Sequence, residues 1–463
     1  MIKQSSATSQ PKKVLVVGLG ISGQAVTELL LRQGIAVTAT DLHDEPHFAA
    51  SLGRLQDLGG ELHLGAHRVR DFLEVEQIIV SPGVPLDLEP LRRAAAQEIE
   101  IIGELEWAWR QTQAPVVAIT GTNGKTTTTS LLGEILRVAG KRVFVGGNIG
   151  TPLSQWLLGG QSADLLVLEV SSFQLDTAPT FRPEVGILLN ITEDHLDRYA
   201  DFSDYAESKL AVFRRQRSDD VAIVNGDDPQ CRQRLWQVPS RLMTFSRQFS
   251  EAQAFIGNDR LTVHPGETEP LQFDLSAYPL RGPHNAENIA AAVLAATVLG
   301  VAESVCHEVL SQYHGLPHRV EWVACRHGID FYDDSKATNV GAVVKALDNF
   351  HRPVLLLAGG RDKYGAYQPL VTPLREKAKG LFLFGQAAPR MHQELAGVIP
   401  THLAKDLTEA FGQALAQACP GDIVLLSPAC SSFDQYESYA QRGDHFKRLV
   451  SDLSDRKEAG CRT

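Results

Sequence analysis

A glycine-rich loop in the middle of the chain combines residues that could bind a nucleoside triphosphate. The segment A-I-T-G-T-N-G-K-T-T-T-T-S contains Gly121, Gly124, Lys125 and Thr126 between an apolar run and an apolar-periodic helix. Glycines allow backbone N–H groups to turn toward phosphate oxygens, and a helix N-terminus favours negative charge. The lysine could neutralise the β- and γ-phosphates while the threonine hydroxyl binds Mg²⁺. The standard spacing would place a glycine at position 119, where this chain has Ile119, but the G-K-T core remains.

Two further polar residues follow neighbouring apolar runs. Glu169 ends the run D-L-L-V-L-E, and His195 lies in N-I-T-E-D-H-L-D-R, just past the next run. The carboxyl ends of parallel strands meet at one edge of a sheet, where α/β proteins bind ligands. A carboxylate there suits Mg²⁺. A lone histidine is more often structural, but three polar motifs at three neighbouring strand ends favour a functional role.

Another glycine loop, the first along the chain, lies near the N-terminus; the loop from Gly121 to Thr126 is the second. Gly18-x-Gly20-x-x-Gly23 follows the apolar run V-L-V-V, and Asp41 comes eighteen residues after Gly23. This spacing fits the fingerprint of dinucleotide-binding proteins, so an NAD-dependent oxidoreductase is one interpretation. The glycines themselves indicate only a tight turn that brings a phosphate to a helix N-terminus. The loop alone therefore does not determine the ligand.

Short apolar runs alternate with helical patterns along the chain and fall into three groups, within residues 14–83, 115–227 and 329–428. Continuous Val/Ile/Leu runs alternating with helices are typical of parallel sheets covered on both faces. The polar segment R-Q-T-Q-A-P and the segment Y-H-G-L-P-H, which contains Gly and Pro, indicate seams between the groups. We therefore predict an α/β protein made of three consecutive α/β domains with mainly parallel sheets. The predicted domains are residues 1–106, 107–315 and 316–463.

The composition excludes several classes of protein. The 463 residues carry a net charge of -11, with 43% hydrophobic and 21% charged residues, and this acidic balance lacks the basic footprint of a nucleic-acid-binding protein. Beyond the N-terminal run, which glycines and a following amphipathic helix explain as strand, turn and helix, no segment is long and apolar enough to span a bilayer. The six cysteines form no C-x-x-C pair, so a thiolate zinc site is not indicated. We expect a cytoplasmic protein with no nucleic-acid partner and no membrane insertion.

Four motifs together resemble the Mur ligases of bacterial cell-wall synthesis, and the resemblance covers all three predicted domains. They are G-T-N-G-K-T, E-V-S-S-F-Q-L, N-I-T-E-D-H-L-D-R and G-P-H-N-A-E-N. The resemblance implies an ATP-dependent ligase that converts a carboxylate into an acyl phosphate, which an amine then attacks to form an amide. It implies a Rossmann-like N-terminal domain, a central P-loop domain like those of ATPases, and a Rossmann-like C-terminal domain. The implied cofactors are ATP and Mg²⁺, with two magnesium ions.

The same resemblance gives roles to residues of the central domain. Lys209, in D-F-S-D-Y-A-E-S-K, stands where many of these ligases carry a lysine modified by carbon dioxide, and a carbamate offers anionic oxygens to a cation, which an ammonium cannot. Asn288 resembles an adenine contact, and the neighbouring Asn285 could alternatively cap the helix. The implied catalytic residues are Lys125, Asn148, His195 and Lys209. The implied metal ligands are Thr126, Glu169, His195 and carbamylated Lys209. The implied ATP-binding residues are Gly121, Thr122, Asn123, Gly124, Lys125, Thr126, Thr127, Asn288, Arg319, Asp334 and Lys336.

Residues of the third predicted domain indicate which amine is the substrate. The segment Y-D-D-S-K-A-T-N resembles the branch of the family that adds D-glutamate to UDP-N-acetylmuramoyl-L-alanine. An acidic amino acid requires cations and hydroxyl groups around it. The residues implied for D-glutamate are Thr338, Lys363, Ser432, Phe433 and Tyr439. Tyr439 stands at a position associated with phenylalanine, and core packing is the alternative role for both aromatic residues.

The resemblance also changes the interpretation of the first glycine loop, because the N-terminal domain of the family holds the uridine nucleotide of the muramoyl substrate. The residues implied for that substrate are Ile21, Ser22, Asp41, Ser81, Gly83 and Asn148. Relatives carry Thr-Arg after the aspartate, whereas this chain has Leu42-His43, which leaves individual uracil contacts open.

The expected partners are two small molecules, UDP-N-acetylmuramoyl-L-alanine and D-glutamate, and we expect a monomer. Four alternatives stay open at this stage. They are another Mur-type ligase, a folylpolyglutamate synthetase-like amide ligase, an NAD-dependent oxidoreductase that uses the first glycine loop, and a non-enzymatic regulator on a ligase scaffold.

Overall fold

The chain forms two compact units, Met1–Tyr313 (the first unit) and His314–Thr463 (the second unit). A computed structural model describes residues 11–43, 49–192, 198–264, 266, 269–350, 352–362 and 366–453. The first unit contains a five-stranded and a nine-stranded sheet, and the second unit contains a six-stranded sheet. The predicted α/β class with mainly parallel sheets is confirmed. The exact domain boundaries, 106/107 and 315/316, stay predictions.

The five-stranded sheet is wholly parallel, in the order β3-β2-β1-β4-β5. Its strands are β1 (Lys13–Val17), β2 (Ala36–Asp41), β3 (Glu61–Leu64), β4 (Gln77–Val80) and β5 (Glu100–Gly103). Its helices are α1 (Ile21–Arg32), α2 (Ala49–Asp57), α3 (Val69–Leu73), α4 (Glu89–Ala96) and α5 (Glu104–Arg110). The strand order reverses beside the central β1, so the loop after β1 lies at the switch point where such sheets bind ligands.

The nine-stranded sheet has the order β14-β13-β12-β11-β10-β9-β6-β8-β7. Its strands are β6 (Val116–Thr120), β7 (Val143–Gly147), β8 (Leu165–Glu169), β9 (Val185–Leu188), β10 (Val221–Asn225), β11 (Arg241–Ser246), β12 (Ala254–Gly257), β13 (Arg260–Val263) and β14 (Leu271–Asp274). Its helices are α6 (Lys125–Val138), α7 (Leu153–Leu158), α8 (Ser172–Asp176), α9 (Phe202–Leu210), α10 (Pro229–Arg232), α11 (Pro283–Val298) and α12 (Glu303–Gln312). Only the β12–β14 edge is antiparallel among these described strands. The adjacent β9, β6 and β8 are fully buried and end together.

The six-stranded sheet of the second unit has the order β15-β16-β20-β17-β18-β19. Its strands are β15 (Glu321–Arg326), β16 (Ile329–Asp333), β17 (Val354–Gly359), β18 (Ala378–Phe384), β19 (Thr401–Leu403) and β20 (Ile423–Ala429). Its helices are α13 (Val340–Asp348), α14 (Val371–Lys377), α15 (Ala388–Glu394), α16 (Leu407–Gln417) and α17 (Tyr439–Ser451). The β15–β16 pair is antiparallel and the other pairs are parallel.

A shared apolar core explains why the first two sheets form one unit. A single cluster of buried side chains runs from Val16 of β1 and Leu30 of α1, through Trp107 of α5, to Leu153 of α7 and Leu168 of β8. Burial of this apolar surface from water is the main driving force for holding the two sheets together.

The apolar runs of the sequence each contain a strand. The strands that no apolar run indicated include short or edge strands, such as β3, β5, β14 and β19, and also the six-residue β11, which pairs on both sides. All of these have partly exposed residues. A half-exposed strand of three or four residues needs no continuous apolar pattern. Within the described ranges, no helix combines the length and apolarity that crossing a membrane requires.

Candidate active site

The second glycine loop joins the end of β6 to the start of α6. Gly121 and Gly124 have φ angles of +148° and +85°, which L side chains rarely adopt. A Cβ atom on Gly124 would lie 2.2 Å from Oδ1 of Asn288 on α11, and the Thr128 hydroxyl donates to the same oxygen at 3.3 Å. The predicted adenine contact therefore lies directly against the loop. Helix α11 begins after Gly282, so Asn285 is not its N-cap.

Two lysines reach one backbone oxygen of this loop. Lys125 Nζ donates to the carbonyl oxygens of Gly121 (2.9 Å) and Thr122 (3.0 Å), and Lys209 Nζ donates to the same Gly121 oxygen at 3.0 Å. The two ammonium groups are therefore no more than about 6 Å apart. Lys209 is only 2% exposed, with its Nζ 4.6 Å from the ring centroid of Tyr205. Two like charges this close repel each other, and an anion between them would relieve the repulsion.

An asparagine at the end of β9 fixes the other side of the loop. The Asn190 side chain accepts from the backbone N–H of Asn123 (2.9 Å) and donates to its carbonyl oxygen (3.1 Å). The backbone N–H of Thr122 donates to the Asn190 carbonyl oxygen at 2.9 Å. Asn190 was not among the predicted site residues, although it opens the quoted N-I-T-E-D-H-L-D-R motif. His195, from the same motif, lies outside the described residues, and its role stays a prediction.

Glu169 has the features of a cation ligand. It ends β8 beside β6, is 2% exposed, and its Oε1 accepts from Asn148 Nδ2 at 2.8 Å. Its Oε2 is buried and has no hydrogen-bond partner among the described residues. Leaving a buried carboxylate oxygen unpaired is costly, and a bound cation removes that cost. Thr126, in the first turn of α6, adds a buried hydroxyl to an oxygen donor set that suits Mg²⁺.

The first glycine loop is held by side chains that had been predicted to touch the substrate. Gly18 has φ +88°, and a Cβ atom on Gly23 would lie 1.8 Å from the Gly18 carbonyl oxygen. Asp41 Oδ2 accepts from the backbone N–H of Leu19 at 2.7 Å, and the Ser81 hydroxyl donates to the Gly18 carbonyl oxygen at 2.8 Å. Asp41 and Ser81 therefore fix the shape of the loop.

The charge of Asp41 is stabilised by the same contacts. Burial raises the pKa of this carboxyl, but hydrogen bonds from the backbone N–H groups of His43 and Leu19 and from the His43 ring outweigh burial, so the pKa lies below its ordinary value. The carboxylate stays ionised in neutral solution. Among the neighbouring residues, Ile21 at the start of α1 is 69% exposed and Leu42 is 58% exposed, so both are open to a ligand.

An arginine connects the loop after β4 with helix α8. Arg198 donates to the carbonyl oxygens of Gly83 (3.1 Å) and Val84 (3.0 Å), and its guanidinium carbon lies 4.7 Å from the ring centroid of Phe173. Gly83 was predicted to lie near the uridine substrate, whereas Arg198 was not singled out. Asn148, predicted for both substrate binding and catalysis, is joined by its described contacts to Glu169.

In the second unit, the segment after β16 buries a carboxyl group. Asp334 accepts from the Ser427 hydroxyl (2.7 Å) and the Val320 backbone N–H (3.2 Å). Complete burial raises the pKa of Asp334 to about 7, against the opposing effects of the Ser427 hydrogen bond and the Arg319 charge. His318 and Val320, on either side of Arg319, have φ angles of +63° and +44°. A positive φ is strained for a β-branched residue, and such strain is typical of functional segments.

A fully buried arginine holds three loops of the second unit together. Arg442 of α17 donates to the Ser335 hydroxyl (3.0 Å) and carbonyl oxygen (2.9 Å), to the carbonyl oxygens of Cys430 (3.1 Å) and Ser431 (3.3 Å), and to that of Gly359 (3.4 Å). Burial lowers the pKa of Arg442 to about 10. It was not predicted as a site residue, because its partners lie far away in the sequence.

A cavity of about 410 Å³ lies within the second unit. It is lined by Thr338, Arg361, Asp362, Ser431, Ser432, Phe433 and Tyr439. Four of these, Thr338, Ser432, Phe433 and Tyr439, were predicted for D-glutamate, and the structure brings them together. Phe433 is 63% and Tyr439 37% exposed, so core packing does not explain either ring. Lys336 Nζ lies 5.6 Å from the ring centroid of Tyr439. Lys363 lies outside the described residues.

Comparison with known proteins identifies the family. Residues 12–103 match the family model "Mur ligase MurD-like, N-terminal domain", residues 119–296 match "Mur ligase middle domain", and residues 318–430 match "Mur ligase, glutamate ligase domain". The chain is 45% identical over 444 residues to the UDP-N-acetylmuramoylalanine--D-glutamate ligase of Geotalea daltonii, covering 96% of this chain and 98% of that protein. The chain belongs to the Mur ligase family.

Two further Mur ligase comparisons agree. The enzyme of the same name from Desulfosudis oleivorans is 45% identical over 448 residues, covering 96% of this chain and 98% of that protein. The crystal structure of the MurF ligase from Thermotoga maritima in complex with ADP has a TM-score of 0.61 at 17% identity, covering 90% of this chain and 96% of that one. The latter likeness shows the shared fold.

Membership of the Mur ligase family confirms the family resemblance of the four motifs and the predicted enzyme class, an amide-forming ligase. The alternative of an NAD-dependent oxidoreductase gains no support. The fingerprint Gly18-x-Gly20-x-x-Gly23 therefore occurs here in a Mur ligase.

Proposed function

We propose that this Mur ligase joins D-glutamate to UDP-N-acetylmuramoyl-L-alanine at the expense of ATP, through an acyl-phosphate intermediate, in peptidoglycan precursor synthesis. The choice of substrates is supported by relatives of that name at 45% identity over nearly the whole chain. The observation that carries the chemistry is the cluster at the ends of β6 and β8. There, two lysines share the Gly121 oxygen, and Glu169 has an unpaired buried oxygen.

The chemistry explains why such a cluster is needed. A carboxylate and an amine do not condense at neutral pH, so an oxygen of the L-alanine carboxylate attacks the γ-phosphorus of ATP and ADP leaves. The amine of D-glutamate then attacks the acyl carbon, the tetrahedral intermediate collapses, and phosphate leaves as the amide forms. The first step brings two anions together. Lys125, at the N-terminus of α6, neutralises the phosphates where negative charge develops.

Magnesium completes the charge balance in this proposal. When bound, Mg²⁺ would supply positive charge that lowers the repulsion between the substrate carboxylate and the γ-phosphate. Thr126 and Glu169 would hold the ion that accompanies ATP. His195 and the carbamate of Lys209 would hold a second ion. The unpaired Oε2 of Glu169 is the feature of this structure that fits such an ion.

The surroundings of Lys209 support its carbamylation. An unmodified Lys209 places a second buried cation beside Lys125, whereas reaction of its amine with carbon dioxide puts an anion there. The repulsion between two cations becomes an attraction, and the new oxygens can bind Mg²⁺.

The remaining predicted residues surround the three substrates in this proposal. Ile21, Ser22 and Gly83 face the uridine nucleotide beside a loop that Asp41 and Ser81 shape, and Asn148 contacts the same substrate. The phosphate loop from Gly121 to Thr127 binds ATP. Asn288, Arg319, Asp334 and Lys336 also serve ATP. Thr338, Lys363, Ser432, Phe433 and Tyr439 serve D-glutamate.

The proposed cellular setting follows from this reaction. A cytoplasmic, monomeric enzyme would supply a nucleotide-linked precursor for cell-wall synthesis and thereby support cell shape and division.

Phosphate release tests the proposed function. The full chain is incubated with ATP, Mg²⁺, UDP-N-acetylmuramoyl-L-alanine and one amino acid at a time. Release that requires D-glutamate, with a product heavier by one glutamyl residue, is the expected result. With ¹⁸O in the substrate carboxylate, the label should appear in the liberated phosphate. Release that requires L-glutamate and a folate, or unlabelled phosphate, contradicts the proposal.

A further inference from the structure

The cavity of the second unit contains a cation that no prediction had included. D-Glutamate carries two carboxylates and one ammonium, so a site for it must provide positive charge. Among the described residues that line the cavity, Arg361 is the only one with a positively charged side chain. The other charged lining residue is Asp362.

Asp362 forms an ion pair with Arg390, which lies outside the cavity lining and also pairs with Glu394 at 2.8 Å. The Asp362 side chain is 7% exposed, and both of its oxygens accept from Arg390 Nη1, at 3.0 and 3.1 Å. Its Oδ1 also accepts from the Tyr367 hydroxyl at 3.1 Å. Arg361 itself is exposed, and within the described ranges its guanidinium makes no hydrogen bond or ion pair. Among the described residues, no carboxylate pairs with the guanidinium that Arg361 brings to the cavity.

The backbone fixes where this charge stands. Gly359 and Gly360 have φ angles of +129° and +131°, and a Cβ atom on Gly360 would lie 2.3 Å from the Ser431 carbonyl oxygen. This close approach lets the Arg361 backbone N–H donate to the same oxygen at 2.9 Å. The buried Arg442 holds Gly359 and Ser431 from behind. Arg361 is therefore attached to the same wall as the hydroxyl residues of the cavity.

We propose that Arg361 is a substrate-binding residue whose guanidinium pairs with a carboxylate of the amino-acid substrate in this cavity. The assignment rests on the proposed function, because it takes D-glutamate as that substrate. The planar fork of N–H donors matches the two oxygens of a carboxylate. The hydroxyl groups of Thr338 and Ser432, in the same cavity, then donate to the carboxylate oxygens that remain.

Substrate kinetics test the role of Arg361. Because a hydrogen bond to a charged group is involved, Arg361→Gln should raise the KM for D-glutamate by roughly 10- to 100-fold. The KM values for ATP and UDP-N-acetylmuramoyl-L-alanine should stay within about twofold of those of the unaltered chain. Arg361→Lys should recover part of the loss, because it keeps the charge but not the fork. The matched control is Arg375→Gln, an exposed arginine of the same unit outside the cavity lining.

A second measurement on the unaltered chain does not depend on the folding of a variant. Phenylglyoxal modifies exposed arginines, and peptide mapping should show Arg361 protected by D-glutamate in the presence of the uridine substrate and an ATP analogue, with Arg375 unprotected. An unchanged KM in folded Arg361→Gln, or no protection, overturns the assignment while the proposed function stands. If the unaltered chain shows no D-glutamate-dependent turnover, the proposed function fails, and this assignment fails with it.

Discussion

The two glycine loops of the first unit have the same local architecture and different surroundings. Each follows a buried strand, has a glycine with positive φ, and leads into a helix. The loop after β1 is tied by Asp41 and Ser81, which bind its backbone and bring no cation to it. The loop after β6 is tied by Asn190 and approached by the ammonium groups of Lys125 and Lys209.

This difference teaches that the glycines determine shape and the neighbouring charges determine chemistry. A tight turn at a helix N-terminus accepts a phosphate wherever it occurs. Among the described residues, the loop after β6 and not the loop after β1 also has cations and an unpaired carboxylate oxygen beside it, which favour phosphoryl transfer. This difference agrees with the proposed function, in which the first loop holds a diphosphate that does not react and the second holds a phosphate that does.

The largest expected effect is a loss of turnover when Lys209, beside the second loop, is replaced. Lys209→Arg keeps a buried cation but cannot form a carbamate, so kcat should fall on the order of 10³-fold or more. Phosphate release at saturating substrate concentrations measures the fall. Lys141→Arg, at an exposed position after α6, is the matched control and should retain full activity. Full activity in folded Lys209→Arg would make the second loop a passive binding loop like the first.

An effect of intermediate size is expected on stability, and it should differ between two glycines of the first loop. In Gly23→Ala the new Cβ atom would meet the Gly18 carbonyl oxygen at 1.8 Å, so we expect the free energy of unfolding to fall by about 2–3 kcal/mol. Gly20 has φ -62° and no neighbouring atom within 4 Å of its Cβ position, so Gly20→Ala should change stability by less than about 0.5 kcal/mol. Urea unfolding of the full chain measures both. Equal stability of the two variants would show that the loop repacks freely.

The smallest effect concerns the charge that shapes the first loop. Asp41→Asn should lower the free energy of unfolding at neutral pH by about 1 kcal/mol, because the carboxylate accepts from Leu19 and His43 and is partly solvent-screened. Its folded-state pKa lies below the ordinary 3.8, so its contribution is fully present above that value and disappears as the pH falls through the folded-state pKa.

The stability difference between the unaltered chain and Asp41→Asn should therefore shrink on acidification. Unfolding measured at neutral pH and again below the folded-state pKa tests this sign. Asp87→Asn, at an exposed position in the same sheet region, should show no such difference at either pH. If this difference in the free energy of unfolding grew as the pH was lowered, the folded chain would hold Asp41 in its neutral form.

Local sequence patterns predicted the buried strands with apolar runs, the two glycine loops and the family. The G-K-T loop, for example, depends on backbone sterics within a few residues and on the apolar strand before it. The hydroxyl and aromatic residues of the second unit also came from local motifs, and Thr338, Ser432, Phe433 and Tyr439 do share one cavity. The edge strands did not come from such patterns, because their pairing partners and not their apolarity define them.

By itself, the sequence determined most of the buried strands and which loops have the glycines to surround a phosphate. Only the tertiary structure decided which charges meet those loops. Lys209 reaches Gly121 across 88 residues of sequence, and Arg442 reaches Ser335 across 107. The physical reason is that backbone sterics act between neighbours along the chain, whereas burial and charge pairing depend on which surfaces the packed sheets bring together.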